Sequence, residues 1–192
     1  MEQILFINAC VRTGSRTMQL AQHVLSQLEG ACHTCQLQDE GLLPLNRERL
    51  ANRDALLAKG KLDDACFRWA RQFAQADTIV IAAPYWELSF PALLKIYLEN
   101  ITVTGITFTY ENNRPVGLCR AKRLIYVTTA GGPIFADFGF AQVEALARNF
   151  FGIREVLCCS AEGLDIIGAD VTALLENAKK CFERELKGEN TV

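Results

Sequence analysis

The chain has 192 residues, half of them hydrophobic, with 22 acidic and 20 basic side chains and a formal net charge of −2. A domain of this length buries roughly 70% of its unfolded surface, so it needs neither disulfides nor a structural metal to fold. The near-neutral balance argues against a disordered acidic tail and against a broad nucleic-acid-binding face; any bound anion must be held by local groups.

Ile4 to Ile7 is a short continuous apolar run, followed by a polar loop from Asn8 to Thr17 and then by Leu20, Val24, Leu25 and Leu28 at helical spacing. A second strand is expected over Cys32 to Gln38. A helix follows from Arg47 to Lys59, ending at Gly60, and another from Asp63 to Ala76, capped by Asp63 or a neighbour. Thr78 to Ala83 reads as a buried strand that stops at Pro84, and Pro91 suits the first turn of a helix reaching Ile101. Ile106 to Tyr110 alternates before the turn-rich Glu111 to Pro115, which predicts a hairpin or small excursion. Leu124 to Thr128 is the fourth main strand, followed by a helix near Phe140 to Phe150, a strand near Glu155 to Ser160 and a helix from Asp170 to Lys187. Five strands alternating with helices predict an α/β protein whose parallel sheet is covered on both faces, in a single domain over 1–192.

The eight cysteines are scattered and fall mostly in strand or helix patterns, which suits reduced thiols in the cytoplasm. Cys32 and Cys35 form a CxxC spacing, but residues three apart on a strand point to opposite faces, and no metal site is expected. The start of the chain lacks a basic segment leading into a long apolar one, and no apolar run approaches the length of a membrane span. His23 and His33 fall on a helix and a strand, away from the loops that carry the chemistry.

Those loops follow three predicted parallel strands: Asn8 to Thr17, Pro84 to Phe90 and Thr129 to Pro133. In a doubly wound sheet they converge outside the carboxyl ends of the strands, where ligands bind. Arg12, Ser15, Arg16 and Thr17 stand just before a helix, offering amides, hydroxyls and guanidinium groups to a phosphate. Capping of the helix is the alternative role for Ser15 and Thr17. Tyr85 and Trp86 present flat faces to a ring, and loop amides released from strand pairing suit its polar edge. Gly131 and Gly132 permit close backbone approach. Neither G-x-G-x-x-G nor G-x-x-x-x-G-K-[ST] is present, which argues against a dinucleotide fingerprint or a P-loop.

Across nearly its whole length the chain resembles the flavodoxin-like NAD(P)H-dependent oxidoreductases, a family that includes FMN-dependent NADH-azoreductases and NAD(P)H quinone reductases. The matching segments are Ala82 to Lys95, Thr104 to Tyr110 with Pro115 to Leu118, Gly131-Gly132, and Ala161-Glu162-Gly163. The resemblance implies a three-layer flavodoxin-like fold with a sheet ordered 2-1-3-4-5 and a homodimer with active sites at the subunit interface. It implies that Ser15, Arg16 and Thr17, with Arg12 a neighbour, hold the flavin phosphate. Pro84, Tyr85, Trp86, Glu87 and Leu88 would line the isoalloxazine, and Thr129, Ala130, Gly131 and Gly132 would meet its polar edge. By analogy of length the flavin is FMN rather than FAD, reduced by NADH or NADPH and reoxidised by a quinone, an azo compound or another planar acceptor. No acid/base pair or nucleophile is evident, as suits an enzyme whose cofactor carries the chemistry.

Two positions depart from the family pattern: Glu87 stands where azoreductases usually have Asn, and Ala130 where many relatives have Arg. An ionised Glu87 would disfavour the electron-rich reduced flavin and Ala130 offers no compensating cation, so a lowered flavin potential is expected unless Glu87 is protonated or points away. The alternatives from other classes are a flavodoxin-type electron carrier and a flavin-free regulatory module on the same scaffold.

Overall fold

Strands that carry apolar side chains on both faces require helices above and below them. The computed structural model describes residues 1–188, so the last four positions of the expected 1–192 domain lie outside the described residues. Its main sheet comprises β1 (Gln3–Asn8), β2 (Ala31–Gln36), β3 (Thr78–Ala82), β6 (Arg123–Thr129) and β7 (Glu155–Ala161), all parallel, in the order β2-β1-β3-β6-β7. Counting only these five, the order is the expected 2-1-3-4-5.

Period-two alternation divides the core between the two faces. Leu5, Ile7, Ile79, Ile81, Leu124 and Tyr126 meet one layer, formed by α3 (Arg68–Gln75), α4 (Ala92–Ile101) and α5 (Phe138–Leu146). Ile4, Phe6, Val80, Ala82, Ile125 and Val127 meet the other, where α1 (Arg16–Ser26) and α6 (Val171–Leu186) supply Leu20, Val24, Leu175 and Phe182. The remaining helix, α2 (Arg47–Ala58), has no fully buried residue and is capped by Asn46. Leu94, Tyr97, Leu98 and Ile101 of α4 are all buried within one chain, so core packing already accounts for these four apolar positions.

Local chemistry shifts several boundaries. The expected helix over Asp63 to Ala76 begins with a tight turn at Ala65–Phe67, because Asp64 accepts the Cys66 amide at 3.0 Å and α3 starts only at Arg68. Beyond α5 the backbone widens into a π-turn at Ala147–Phe151 and ends at Gly152, whose φ is 77°. The predicted excursion is an antiparallel hairpin of β4 (Phe108–Glu111) and β5 (Arg114–Gly117), turned by Asn112 and Asn113 at φ 49° and 61°. Two consecutive positive-φ residues define the mirror-image turn favoured in hairpins, and asparagine tolerates both positions.

All eight cysteines are free thiols; Cys32 is exposed whereas Cys35 is fully buried, so the CxxC spacing does not present two sulfurs on one face. Burial, reinforced by the neighbouring Glu40 carboxylate, pushes the Cys35 thiol up to about 12.

The hairpin sits against the π-turn at Gly117, where a Cβ would collide with the backbone of Phe151 and Gly152. Because rigid backbone cannot give way there, Gly117→Ala is expected to cost about 1–3 kcal/mol, measurable by urea denaturation. Unchanged stability would mean that the hairpin is not seated on this contact.

Candidate ligand cradle at the β1, β3 and β6 ends

Asn8 closes β1 and organises the first loop. Its side chain is nearly buried, with Oδ1 accepting the Cys10 amide at 2.9 Å and Nδ2 donating to Gln36 Oε1 at 2.8 Å. The chain then rises to Ser15, the N-cap of α1, whose hydroxyl oxygen accepts the Met18 amide at 3.3 Å. Ser15 therefore caps the helix with a lone pair and keeps its own O–H proton available to a ligand. The amides of Arg16 and Thr17 open α1 and have no intrahelical partner, and the helix dipole favours an anion beside them.

Two of the predicted phosphate ligands are engaged elsewhere. Thr17 is fully buried, with its hydroxyl 2.6 Å from that of Thr129, so it can offer a phosphate its amide but not its side chain. An Arg16 Nη donates to the Leu164 carbonyl at 3.0 Å and to Asp165 Oδ1 at 2.7 Å. Arg12 makes no side-chain hydrogen bond or ion pair among the described residues.

The second loop is less free than its sequence implied. The Tyr85 amide donates to the Thr129 carbonyl at 3.0 Å, and Trp86 and Ser89 exchange two backbone bonds of 3.0 and 2.8 Å. These bonds form because the loop closes into a tight turn through Glu87 at φ 51° and Leu88 at φ 64°, contrary to the free amides expected after Pro84. The Glu87, Leu88 and Phe90 amides stay clear of backbone bonds. Tyr85 also anchors the third loop, donating its hydroxyl to the Ala136 carbonyl at 2.9 Å. In that loop the Ala130 amide is used by Ala161 at 2.9 Å, which leaves those of Gly131 and Gly132 open.

The three loops enclose a cavity of about 440 Å³, lined among others by Arg12, Ser15, Pro84, Tyr85, Trp86 and Gly131. Arg16, Thr17, Thr129 and Ala130 also contribute to its wall, whereas Glu87, Leu88 and Gly132 do not. The Glu87 side chain is exposed, an arrangement that leaves its carboxylate to water rather than to the wall. The volume lies within the range of small-molecule sites. Leu164 and Asp165 close the cavity from the β7–α6 connection, a fourth segment that sequence reasoning missed. Its signal was at hand: Asp165 lies two residues beyond the Ala161-Glu162-Gly163 match.

A sheet whose order reverses between β1 and β3, with a ligand-sized cavity at that edge, defines the class of doubly wound α/β proteins that bind cofactors at a topological switch point. The chain belongs to the flavodoxin-like fold family, whose model matches residues 2–186. It is 34% identical over 199 residues to an FMN-dependent NADH:quinone oxidoreductase of Coprothermobacter proteolyticus, covering 97% of this chain and 99% of that protein. It is 35% identical over 200 residues to FMN-dependent NADH:quinone oxidoreductase 2 of Clostridium acetobutylicum, with coverage of 97% and 99%. The structure of an FMN-dependent NADH-azoreductase from Bacillus anthracis in complex with FMN superposes with a TM-score of 0.78 at 23% identity over the whole of both chains. That likeness establishes the shared fold.

The Glu87–Leu88 turn places two side chains in the left-handed region, which costs roughly 1–2 kcal/mol per residue outside glycine and asparagine. Glu87→Asn is therefore expected to stabilise the protein by roughly 0.5–1 kcal/mol, read as a higher denaturation midpoint at unchanged slope. A lower midpoint would show that the carboxylate contributes more than the turn loses.

Proposed function

We propose that this chain is an FMN-dependent oxidoreductase that takes electrons from NADH, with NADPH as a second donor, and reduces quinones, azo compounds or similar planar acceptors. The observation that carries the reading is one cavity lined both by the N-terminus of α1 and by the aromatic pair Tyr85 and Trp86. Near-full-length similarity to proteins named for this activity supports it. The residues present fit FMN. Two open helix amides, the Ser15 hydroxyl and the Arg12 guanidinium suit the phosphate, and Tyr85 and Trp86 suit one face of the ring. The Gly131 amide on the cavity wall suits the polar edge of the pyrimidine, with the open Gly132 amide next along the chain. Bound there, FMN supplies the redox chemistry: NADH, a proton and a quinone become NAD⁺ and a hydroquinone.

The protein's own part is to bind and shield. Ser15 donates to the phosphate while its oxygen keeps the helix capped, so it serves fold and ligand together. Tyr85 lines the cavity, and its hydroxyl ties the stretch from Pro133 to Asp137 to the second loop. No proton relay through side chains is required, since an acceptor open to solvent takes its protons from water.

The same reading takes 1–192 as one flavin-binding domain acting as a cytoplasmic homodimer, with no nucleic-acid partner. Eight free thiols support a reducing compartment. No helix among the described residues is long and apolar enough to cross a membrane. Trp86, Leu88 and Phe135 are exposed on two loops joined by the Tyr85–Ala136 bond, and Phe138 is exposed at the start of α5, an apolar surface suited to a second subunit and to a planar acceptor.

The test is the visible spectrum. Purified protein with added FMN should turn yellow, bleach with NADH in the absence of oxygen and recover its colour with a quinone. A flavin that binds but is not bleached would make the protein an electron carrier. Ser15→Ala should weaken FMN binding about fivefold, the worth of roughly 1 kcal/mol of hydrogen bonding. Unchanged affinity would place the phosphate elsewhere.

A further inference from the structure

Arg16 opens α1 at the phosphate end of the cavity, yet its guanidinium is held by the β7–α6 connection, 148 and 149 residues away in sequence. Those partners are firmly placed. Gly163, Leu164 and Asp165 donate their amides to the carbonyls of Gly132, Ala130 and Gly131 at 3.0, 3.2 and 2.8 Å, so the segment runs as a short ladder along the third loop. The Asp165 carboxylate lies so close over Gly131 that a Cβ at that position would strike it. Both members of the pair remain partly open to solvent, with side-chain exposures of 38% for Arg16 and 68% for Asp165, and both line the cavity.

From this arrangement we infer that Asp165 sets how strongly the cradle discriminates a phosphorylated flavin from its dephosphorylated parent. The inference rests on the FMN reading and adds a specificity residue to it. A phosphate arriving at α1 meets a cation whose charge is already balanced by a carboxylate. To engage Arg16 it must compete with Asp165 and with the Leu164 carbonyl, and it must approach a like charge. Arg12 is then the cation that answers the phosphate directly, beside the helix amides and the Ser15 hydroxyl. The wild-type cradle consequently favours FMN over riboflavin only modestly. Removing the Asp165 charge frees Arg16 for the phosphate and sharpens that preference.

FMN and riboflavin share the ring and the ribityl chain and differ only in the phosphate, so comparing them separates this role from any effect of Asp165 on the rest of the site. Apoprotein is titrated with each flavin, following the quenching of flavin fluorescence, at about 0.02 M and about 0.5 M salt. Asp165→Asn, and Asp165→Ser as a second removal of the charge, should raise the FMN-to-riboflavin affinity ratio about five- to tenfold at low salt. Most of the gain should vanish at high salt, where exposed charges are screened. Asp165→Glu keeps the charge and should hold the ratio near its wild-type value.

If both removals shift the two flavins by the same factor, or lower the ratio, the inference fails while the FMN reading stands. Wild-type protein that takes up neither flavin would overturn both. A gain that survives high salt would also overturn the inference, since it would come from packing rather than charge.

Discussion

The buried hydroxyl pair of Thr17 and Thr129 fixes the geometry on which the cradle depends. It joins the first turn of α1 to the carboxyl end of β6 across the intervening strand β3, and it is closed to solvent. Neither hydroxyl is exposed to exchange its partner for water, so the pair holds the α1 end of the cavity and the wall formed by the β6 loop at one spacing. The continuous parallel register beneath it does the rest. β1 and β3 finish level, β6 runs two residues further, and the Ala9, Ala83 and Tyr85 amides bond to carbonyls one strand over, extending the sheet slightly into its own loops. Loops that would otherwise be independent thereby share one rigid base.

Charge in this cradle is balanced locally. Arg12 and Arg16 stand against Asp165 on the wall, with the solvated Glu87 just outside it and no cation at position 130. The helix N-terminus supplies the remaining positive potential through fixed backbone dipoles, which cost nothing to orient when a ligand arrives. On the proposed reading, an anion would be met by preorganised amides and one hydroxyl, assisted by guanidinium groups near the surface. Such a site depends on position more than on net charge, in keeping with a chain that is close to neutral as a whole.

The sequence foretold much of this because the signals were local. Alternating and continuous apolar runs marked every strand of the main sheet to within two residues or so, and caps such as Asn46 and Asp170 sat where side-chain oxygens could reach helix amides. The three loops were found because each directly follows a strand. What stayed hidden was long-range. Nothing near Thr17 reveals that it pairs with a residue 112 positions away, and nothing near Arg16 reveals Asp165. The amides of Tyr85 and Trp86 were expected to be free because Pro84 ends the strand. Glu87 and Leu88 instead adopt a conformation that sequence preference opposes, and the loop folds back on itself. Tertiary context overrode local propensity at the ligand edge, where strained backbone is most often retained.

Tyr85 contributes its ring to the cavity wall and its hydroxyl to the Ala136 carbonyl, so one side chain belongs to two structures at once. A change in length or composition between Pro133 and Asp137 therefore tugs on the Tyr85 ring, and replacing that ring loosens the segment tied to it. Descendants of this chain are thus expected to alter both segments together, leaving a correlated pair of changes in their lineage where an untethered segment would have drifted alone.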